Sequence, residues 1–380
     1  MEGTLLPGRA GTIYFCTYEV VRFENPQEDY CRPIMRESSD AGRTWSEPWP
    51  CMGNGGQDIR AGHISIFRLD DSKLAMACND MDFLADGPPG RDMGTKVTFR
   101  TSRDEGRTWS EPVLVYPLNA LCTSGRAVTL SDGRILVPAY RWISHDASPE
   151  SEQCNSPSLS YCFACFCDDG GRTWTVSHSQ LFVSHYRLTC DLEEPTVVEL
   201  KDGRILMHLR SQLGRPFRSF SKDRGLNWSR PEPLPMAASY TPSILKRMPT
   251  GEILTIWNQI SRGEILKGFH RHRLSCAISR DDGQTWENFK NLESLDFRNV
   301  IEPPPLDRRE IIEQWEDYGY YQPSDTEQYP LAPGPLRICY PDVVFDRDEA
   351  IIVYDYGDGT MGKDKHGIKL RAIPLDWFMK

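Results

Sequence analysis

Five polar residues, His63, Ser124, Glu194, Thr241 and Tyr340, stand at one register of a repeated pattern, just before an apolar strand in each copy. A scaffold position looks alike from copy to copy. One that changes while staying polar points to a single asymmetric site to which several copies contribute. Imidazole, carboxylate and phenol groups are side chains that move protons and hold polar ligands. Glu194 and Tyr340 match most closely, EEPTVVEL against CYPDVVFD, two copies apart. Taken singly, each has a plainer reading: Glu194 could cap a turn, with Glu193 as its neighbour and rival, and Tyr340 could belong to core or surface.

The elements that would position these residues are legible as repeats. AVTLSDGRILVPAYR (127–141) and TVVELKDGRILMHLR (196–210) each read as strand, Asp/Gly turn, strand. Looser copies are SIFRLDDSKLAMACND (65–80), SILKRMPTGEILTIWNQ (243–259) and VVFDRDEAIIVYDYG (343–357). A third strand comes next, then a turn box: SSDAGRTWSEP (38–48), SRDEGRTWSEP (102–112), CDDGGRTW (167–174), SKDRGLNWSRP (221–231) and SRDDGQTW (279–286). Asp and Gly suit the tight turn, and Trp offers a large apolar body to wedge between sheets. Each unit is thus an antiparallel sheet of about four strands.

GTIYFCTYEV (11–20) begins an incomplete first copy, which brings the units to six. Six small sheets that must bury both faces close radially, so the fold class is all-β: a six-bladed β-propeller of four-stranded antiparallel blades with Asp-box turns. The last unit lacks a box and is expected to pair with the chain's start. The boxes then mark outer hairpin turns away from the axis, and their role is structural. One domain spans 1–380, with an insertion at 291–338 before the last blade. Within it a short helix over 307–317 is expected, with Trp315, Tyr318, Tyr320, Tyr321 and Tyr329 around it, either covering the pocket or decorating an edge.

Composition narrows the partners. A net charge of −10 argues against nucleic acid, which needs a basic face. It leaves room for a small anion held by a few arginines. No run reaches the roughly 20 apolar residues of a membrane span, so no membrane partner is expected. MEGTLLPGRAGTIYF has no secretory pattern, and the 12 cysteines read as reduced thiols. A cytoplasmic location is the default expectation, with secretion the alternative for a processed chain. The sequence leaves the oligomeric state open.

The boxes, the sixfold repeat and LEEPTVVELKDGRILMHLRS together resemble the sialidase (neuraminidase) superfamily of Asp-box glycosidases, over nearly the whole chain. The resemblance implies a retaining exo-α-sialidase acting on a sialylated or other acidic glycan, without a cofactor. It makes Tyr340 the nucleophile, Glu194 its base, and Arg210 and Arg271 the arginines that bind the substrate carboxylate, with Arg273 the neighbour that could be confused with Arg271. The chemistry is coherent. A carboxylate nucleophile would be repelled by the carboxylate on the anomeric carbon, whereas a neutral tyrosine relieved of its proton by a glutamate is not. Guanidinium groups suit a carboxylate because they donate two parallel hydrogen bonds.

The family also opens on an Arg-Ile-Pro segment. LLPGRAGTIYF matches the stretch immediately after that segment, so the arginine would fall just before Met1. Arg60 or Arg126 could replace it, and His63 counts with the substrate-binding residues. For the general acid the resemblance gives Asp29, beside Arg22, with Glu24, Glu28, Asp82 and Asp86 as rivals. Two rival functions stay open: a propeller glycosidase or lyase acting on another acidic sugar, and a carbohydrate-binding propeller without turnover. YCFACFC (161–167) approaches metal-ligand spacing, but on a strand Cys165 and Cys167 share a face and Cys162 opposes them, and the chain has no second pair after it. His270 and His272 read as edge residues. No phosphate-cradling glycine loop and no nucleophile elbow occur.

Overall fold

The computed structural model describes residues 2–9, 11–25, 28–84, 95–142, 160–184, 189–190, 192–211, 213–261, 264, 269, 271–294, 298–303, 335–358 and 367–380. Its sheets form six antiparallel blades around an axis. The inner strands are Thr4–Pro7, Ala61–Asp70, Val128–Thr129, Leu192–Glu199, Ile244–Arg247 and Pro335–Asp346. Each pairs with the second strand of its own blade, as Leu192–Glu199 does with Ile205–Ser211. The interior strands lie between neighbouring sheets, so their sequences run apolar on both faces rather than alternating; SYCFACFC (160–167) is buried throughout. Cys165 and Cys167 join one interblade cluster and Cys162 the next, as the strand period requires.

Two expectations about the first and last blades are corrected. The first copy is complete, because Thr4–Pro7 pairs with Ile13–Val21, and Tyr30–Ser38 and Trp49–Pro50 extend the same sheet. The chain's start therefore does not pair with the last blade, whose described strands are Pro335–Asp346, Glu349–Asp358 and Gly367–Pro374. The ring closes by packing instead. Leu5, Ile13, Phe15, Ala41 and Trp45 of blade one meet Val344, Ile351 and Val353 of blade six. A short helix, Leu375–Met379, buries Leu375 and Phe378 against Leu274 and Leu292 of blade five. Of the insertion, 304–334 lie outside the described residues, and with them the 307–317 helix and its aromatic residues. Residues 291–293 belong to the outer strand of blade five, and blade six begins at Pro335.

Strand direction fixes the geometry of the ring. The starts of first strands, ends of second strands and starts of third strands share one face, and the boxes lie on the other. Each box folds on its own hydrogen bonds, and in the first four the tryptophan nitrogen closes the unit. In the first, Gly42 N donates to Ser38 Oγ (2.9 Å), Thr44 N and Oγ1 donate to the Asp40 carboxylate (2.8 and 2.6 Å), and Trp45 Nε1 donates to Gly42 O (3.0 Å). In blade three Cys167 Sγ replaces the serine and accepts from Gly171 N at 2.9 Å.

Candidate active site

The inner strands of blades two, four and six slip register at the same point, between Gly62 and Ser65, Glu193 and Thr196, and Cys339 and Asp342. The residue at each slip is left-handed: His63 at φ 46°, Glu194 at φ 42° and Tyr340 at φ 51°. Such a backbone costs a non-glycine residue about 1–3 kcal/mol, and bulges of this kind re-aim side chains. Three of the five residues picked out by register are therefore held in strained positions, all on one face.

Two of these bulges bring their side chains together. Tyr340 Oη donates to Glu194 Oε1 at 3.1 Å, although the residues are far apart in sequence. Arg210, at the end of the next strand, donates from Nη1 to Glu194 Oε2, and its guanidinium lies 3.6 Å over the ring of Tyr240. Glu193 Oε2 is 3.9 Å from Arg210 Nε, so the rivalry between the two glutamates resolves by position: Glu194 reaches the phenol. Arg271 sits 5.6 Å over the Tyr340 ring and donates to Cys339 Sγ at 3.3 Å. Arg273 is fully buried and donates to both oxygens of Glu264 (3.1 and 2.6 Å), which His272 Nε2 also meets at 3.2 Å. Arg271 thus faces the phenol while Arg273 and His272 anchor its segment. His272 is buried rather than an edge residue; His270 lies outside the described residues.

Electrostatics reinforce the pairing. Burial, then the charges of Glu194 and Glu2, push the Tyr340 hydroxyl well above its ordinary range, opposed by Arg271 and Arg210. Tyr340 is therefore neutral when free and needs a base to lose its proton. Burial lowers the Arg210 pKa, but Glu194 and its neighbours outweigh this and raise it well above normal, so it stays cationic.

Glu2 is the residue that register reasoning missed. It belongs to the axial set, since counting back from the turn at 8–12, as in the other blades, reaches it. Its carboxylate lies 3.3 Å from His63 Nδ1 and accepts from Ser124 Oγ. Burial pushes its carboxyl up, yet His63, Ser124 and Arg126 hold it at about 2. Arg126 is buried and donates from Nη2 to Pro341 O at 3.1 Å, directly after Tyr340.

The remaining candidates gather on the rim of blades one and two. Asp29 accepts from Phe23 N (2.8 Å) and pairs with the exposed Arg22 at 3.5 Å. Arg60 lies 4.5 Å over the Tyr30 ring and pairs with Asp82 at 3.5 Å. Burial and then Asp80 push the Asp82 carboxyl up. Glu24 and Glu28 are exposed, and Asp86 lies outside the described residues. A separate cavity of about 560 Å³, lined by Val128, Val197, Leu245, Lys246 and Arg247 among others, opens toward the opposite ends of the inner strands and is not part of this cluster.

A six-bladed Asp-box ring with a hydrogen-bonded tyrosine–glutamate pair between arginines on its axial face is a propeller of the sialidase superfamily. The family model described as BNR repeat-like domain matches residues 83–353, and the chain belongs to that family. A sialidase of Micromonospora viridifaciens is 24% identical over 288 residues, covering 67% of this chain; the chain spans 40% of that relative's length. Among solved structures, a protein of unknown function from Dyadobacter fermentans superposes with a TM-score of 0.63 at 16% identity, covering 97% of this chain and 93% of that one. The intramolecular trans-sialidase of Ruminococcus gnavus gives 0.61 at 13%, covering 100% and 95%. Trypanosoma rangeli sialidase gives 0.60 at 11%, covering 99% and 55%. At these identities the likeness is one of fold.

Proposed function

We propose that the protein is a retaining glycoside hydrolase that releases a terminal sialic acid or a closely related acidic sugar. The observation that carries this reading is the 3.1 Å hydrogen bond from the half-buried Tyr340 Oη to the buried Glu194 Oε1, with Arg210 on the glutamate and Arg271 over the phenol ring. Arg210 and Arg271 hold the substrate carboxylate, which places the anomeric carbon over the phenol. Tyr340 Oη attacks that carbon as its proton passes to Glu194 Oε1, while an acidic rim residue, Asp29, protonates the departing glycosidic oxygen. Water, deprotonated by the rim residue now acting as base, then attacks the tyrosyl glycoside as Glu194 returns its proton to the departing phenol oxygen, and two inversions give net retention. Neutrality of the free tyrosine matters, because a resident anion would repel the substrate carboxylate.

Glu2 favours a second reading in which the sugar is another acidic one. The ionised Glu2 carboxylate, whose charge is felt by Tyr340, accepts a hydroxyl or amine readily, so it selects among acidic sugars by the substituents they present to it. Rates on matched aryl glycosides of N-acetylneuraminic acid, its deaminated analogue and a uronic acid distinguish the two readings.

The mechanism is tested with the purified full chain and an aryl sialoside. Tyr340→Phe is expected to lower kcat at least ~10³-fold, as is usual when a nucleophile is lost. A 2,3-difluorinated sialic acid is expected to leave a covalent adduct on the Tyr340 peptide. Full activity in Tyr340→Phe refutes the mechanism; absence of turnover on all three glycosides in the wild-type chain refutes the hydrolase reading and leaves sugar binding without catalysis.

A further inference from the structure

The three bulges share a second feature. Two residues after each left-handed position stands a side chain with an acceptor oxygen: Ser65, Thr196 and Asp342. Each oxygen reaches into the next blade around the ring and takes a backbone N–H from its inner strand or from the residues directly before it. Ser65 Oγ accepts from Arg126 N (2.7 Å) and Ala127 N (2.9 Å), Thr196 Oγ1 from Leu245 N (3.3 Å), and Asp342 Oδ2 from Leu5 N (2.8 Å). Inner strands have a neighbouring strand on one side only, so N–H groups on the axial edge need partners of this kind. The device latches each bulge to the adjoining blade.

Asp342 is the charged member of the set. A hydroxyl serves the same backbone bond in blades two and four, so holding an N–H does not explain a carboxylate. A wholly buried carboxylate is costly unless paired. Here Oδ1 accepts from Val343 N at 2.9 Å and faces Lys246 Nζ of blade five at 3.6 Å. Gly125 of blade three passes so near that a Cβ on it would lie 2.9 Å from Oδ2. Arg126, also of blade three, holds the carbonyl of Pro341. Blades one, three and five therefore converge on the two residues directly after Tyr340.

We propose that Asp342 is a positioning residue for Tyr340: its carboxylate, set between Leu5 N–H and the Lys246 ammonium, fixes the bulge that holds the phenol oxygen against Glu194. The proposal rests on the reading of Tyr340 as the reacting group. It does not make Asp342 a catalytic residue, since the carboxylate is engaged beneath the bulge. The reason for such bracing is the steep dependence of attack on geometry, where a displacement of about 1 Å can cost on the order of 10²-fold in rate.

The test uses Asp342→Ser in the full chain, which installs the blade-two residue type, keeps an acceptor for Leu5 N–H and removes the charge. Its kcat on an aryl sialoside is expected to fall about 10²-fold with KM within about twofold, because Arg210 and Arg271 are untouched. Asp342→Asn, closer in shape, is expected to recover part of that loss. If Asp342→Ser does not fold, Lys246→Met carries the measurement, with a kcat loss of about tenfold expected and unchanged KM. A readout independent of turnover is the rate of Tyr340 nitration by tetranitromethane, mapped by mass spectrometry. A loosened phenol is expected to react at least about tenfold faster in the variant than in the wild-type chain. Wild-type kcat and wild-type nitration in the variant overturn the latch, as does a rise in KM alone. Activity surviving in Tyr340→Phe overturns the reading beneath it instead, and nitration then still decides whether Asp342 holds the bulge.

Discussion

At the scale of single residues, the proposed proton donor has two candidates on the rim, and leaving-group chemistry separates them. A glycoside with a poor leaving group needs its oxygen protonated as the bond breaks, whereas an activated aryl oxide leaves nearly unaided. Asp29→Asn is expected to slow a natural sialoside on the order of 10²–10³-fold while sparing an activated aryl sialoside. The check is the ratio of kcat/KM for the two substrates. Should Asp82→Asn give that signature and Asp29→Asn not, the role moves to the blade-two residue, whose carboxyl is already pushed up by burial and by Asp80. The sequence singled out Glu194 and Tyr340 because a repeating frame makes the odd residue visible, whereas Arg210 and Arg271 came only from the family resemblance. That resemblance chose Arg271, but its neighbour Arg273 also stands near the strand start and no local pattern separates the two. Their separation comes from Glu264, whose carboxylate claims Arg273 and leaves Arg271 facing the phenol.

At the scale of elements, the boxes and the bulges have opposite jobs. The boxes repeat because the demand on them repeats: a closed turn and a tryptophan wedged against the previous blade. Trp45 packs with blade six, Trp109 with Met35 of blade one, and Trp174 with Phe99 of blade two. Trp109 is fully buried, so Trp109→Ala is expected to cost about 3–5 kcal/mol of stability. Since the box lies on the face away from Tyr340, kcat and KM measured well below the melting temperature are expected to stay at wild-type values. A lowered kcat with an unchanged melting temperature refutes the structural assignment. Hairpins and boxes were legible because turn chemistry and strand composition are local. The bulges were not, because a register slip depends on the partner strand. Their trace in the sequence is only that His63, Glu194 and Tyr340 fall on one register.

At the scale of the whole molecule, ring closure was the property read wrongly. Strand pairing between the ends was expected because the last unit has no box, whereas Thr4–Pro7 completes blade one and apolar packing seals the ring. A ring held by interblade packing is sensitive to polar groups buried between blades, and His208 is one. Its ring lies 5.3 Å from that of Trp286, across the junction of blades four and five, and burial, then Arg218, lower its pKa from 6.5 to about 3. Above pH 6.5 the imidazole is neutral in the folded and unfolded chain alike and leaves stability unchanged with pH. As pH falls below 6.5, the unfolded chain takes up a proton that the folded ring refuses, so stability declines progressively toward pH 3. His208→Phe keeps an aromatic ring against Trp286 and removes the proton site. Its stability relative to the wild type, from urea unfolding, is expected to improve by about 2 kcal/mol on going from about pH 7 to about pH 5. The same stability difference at both pH values would show that the acid sensitivity of the ring arises elsewhere.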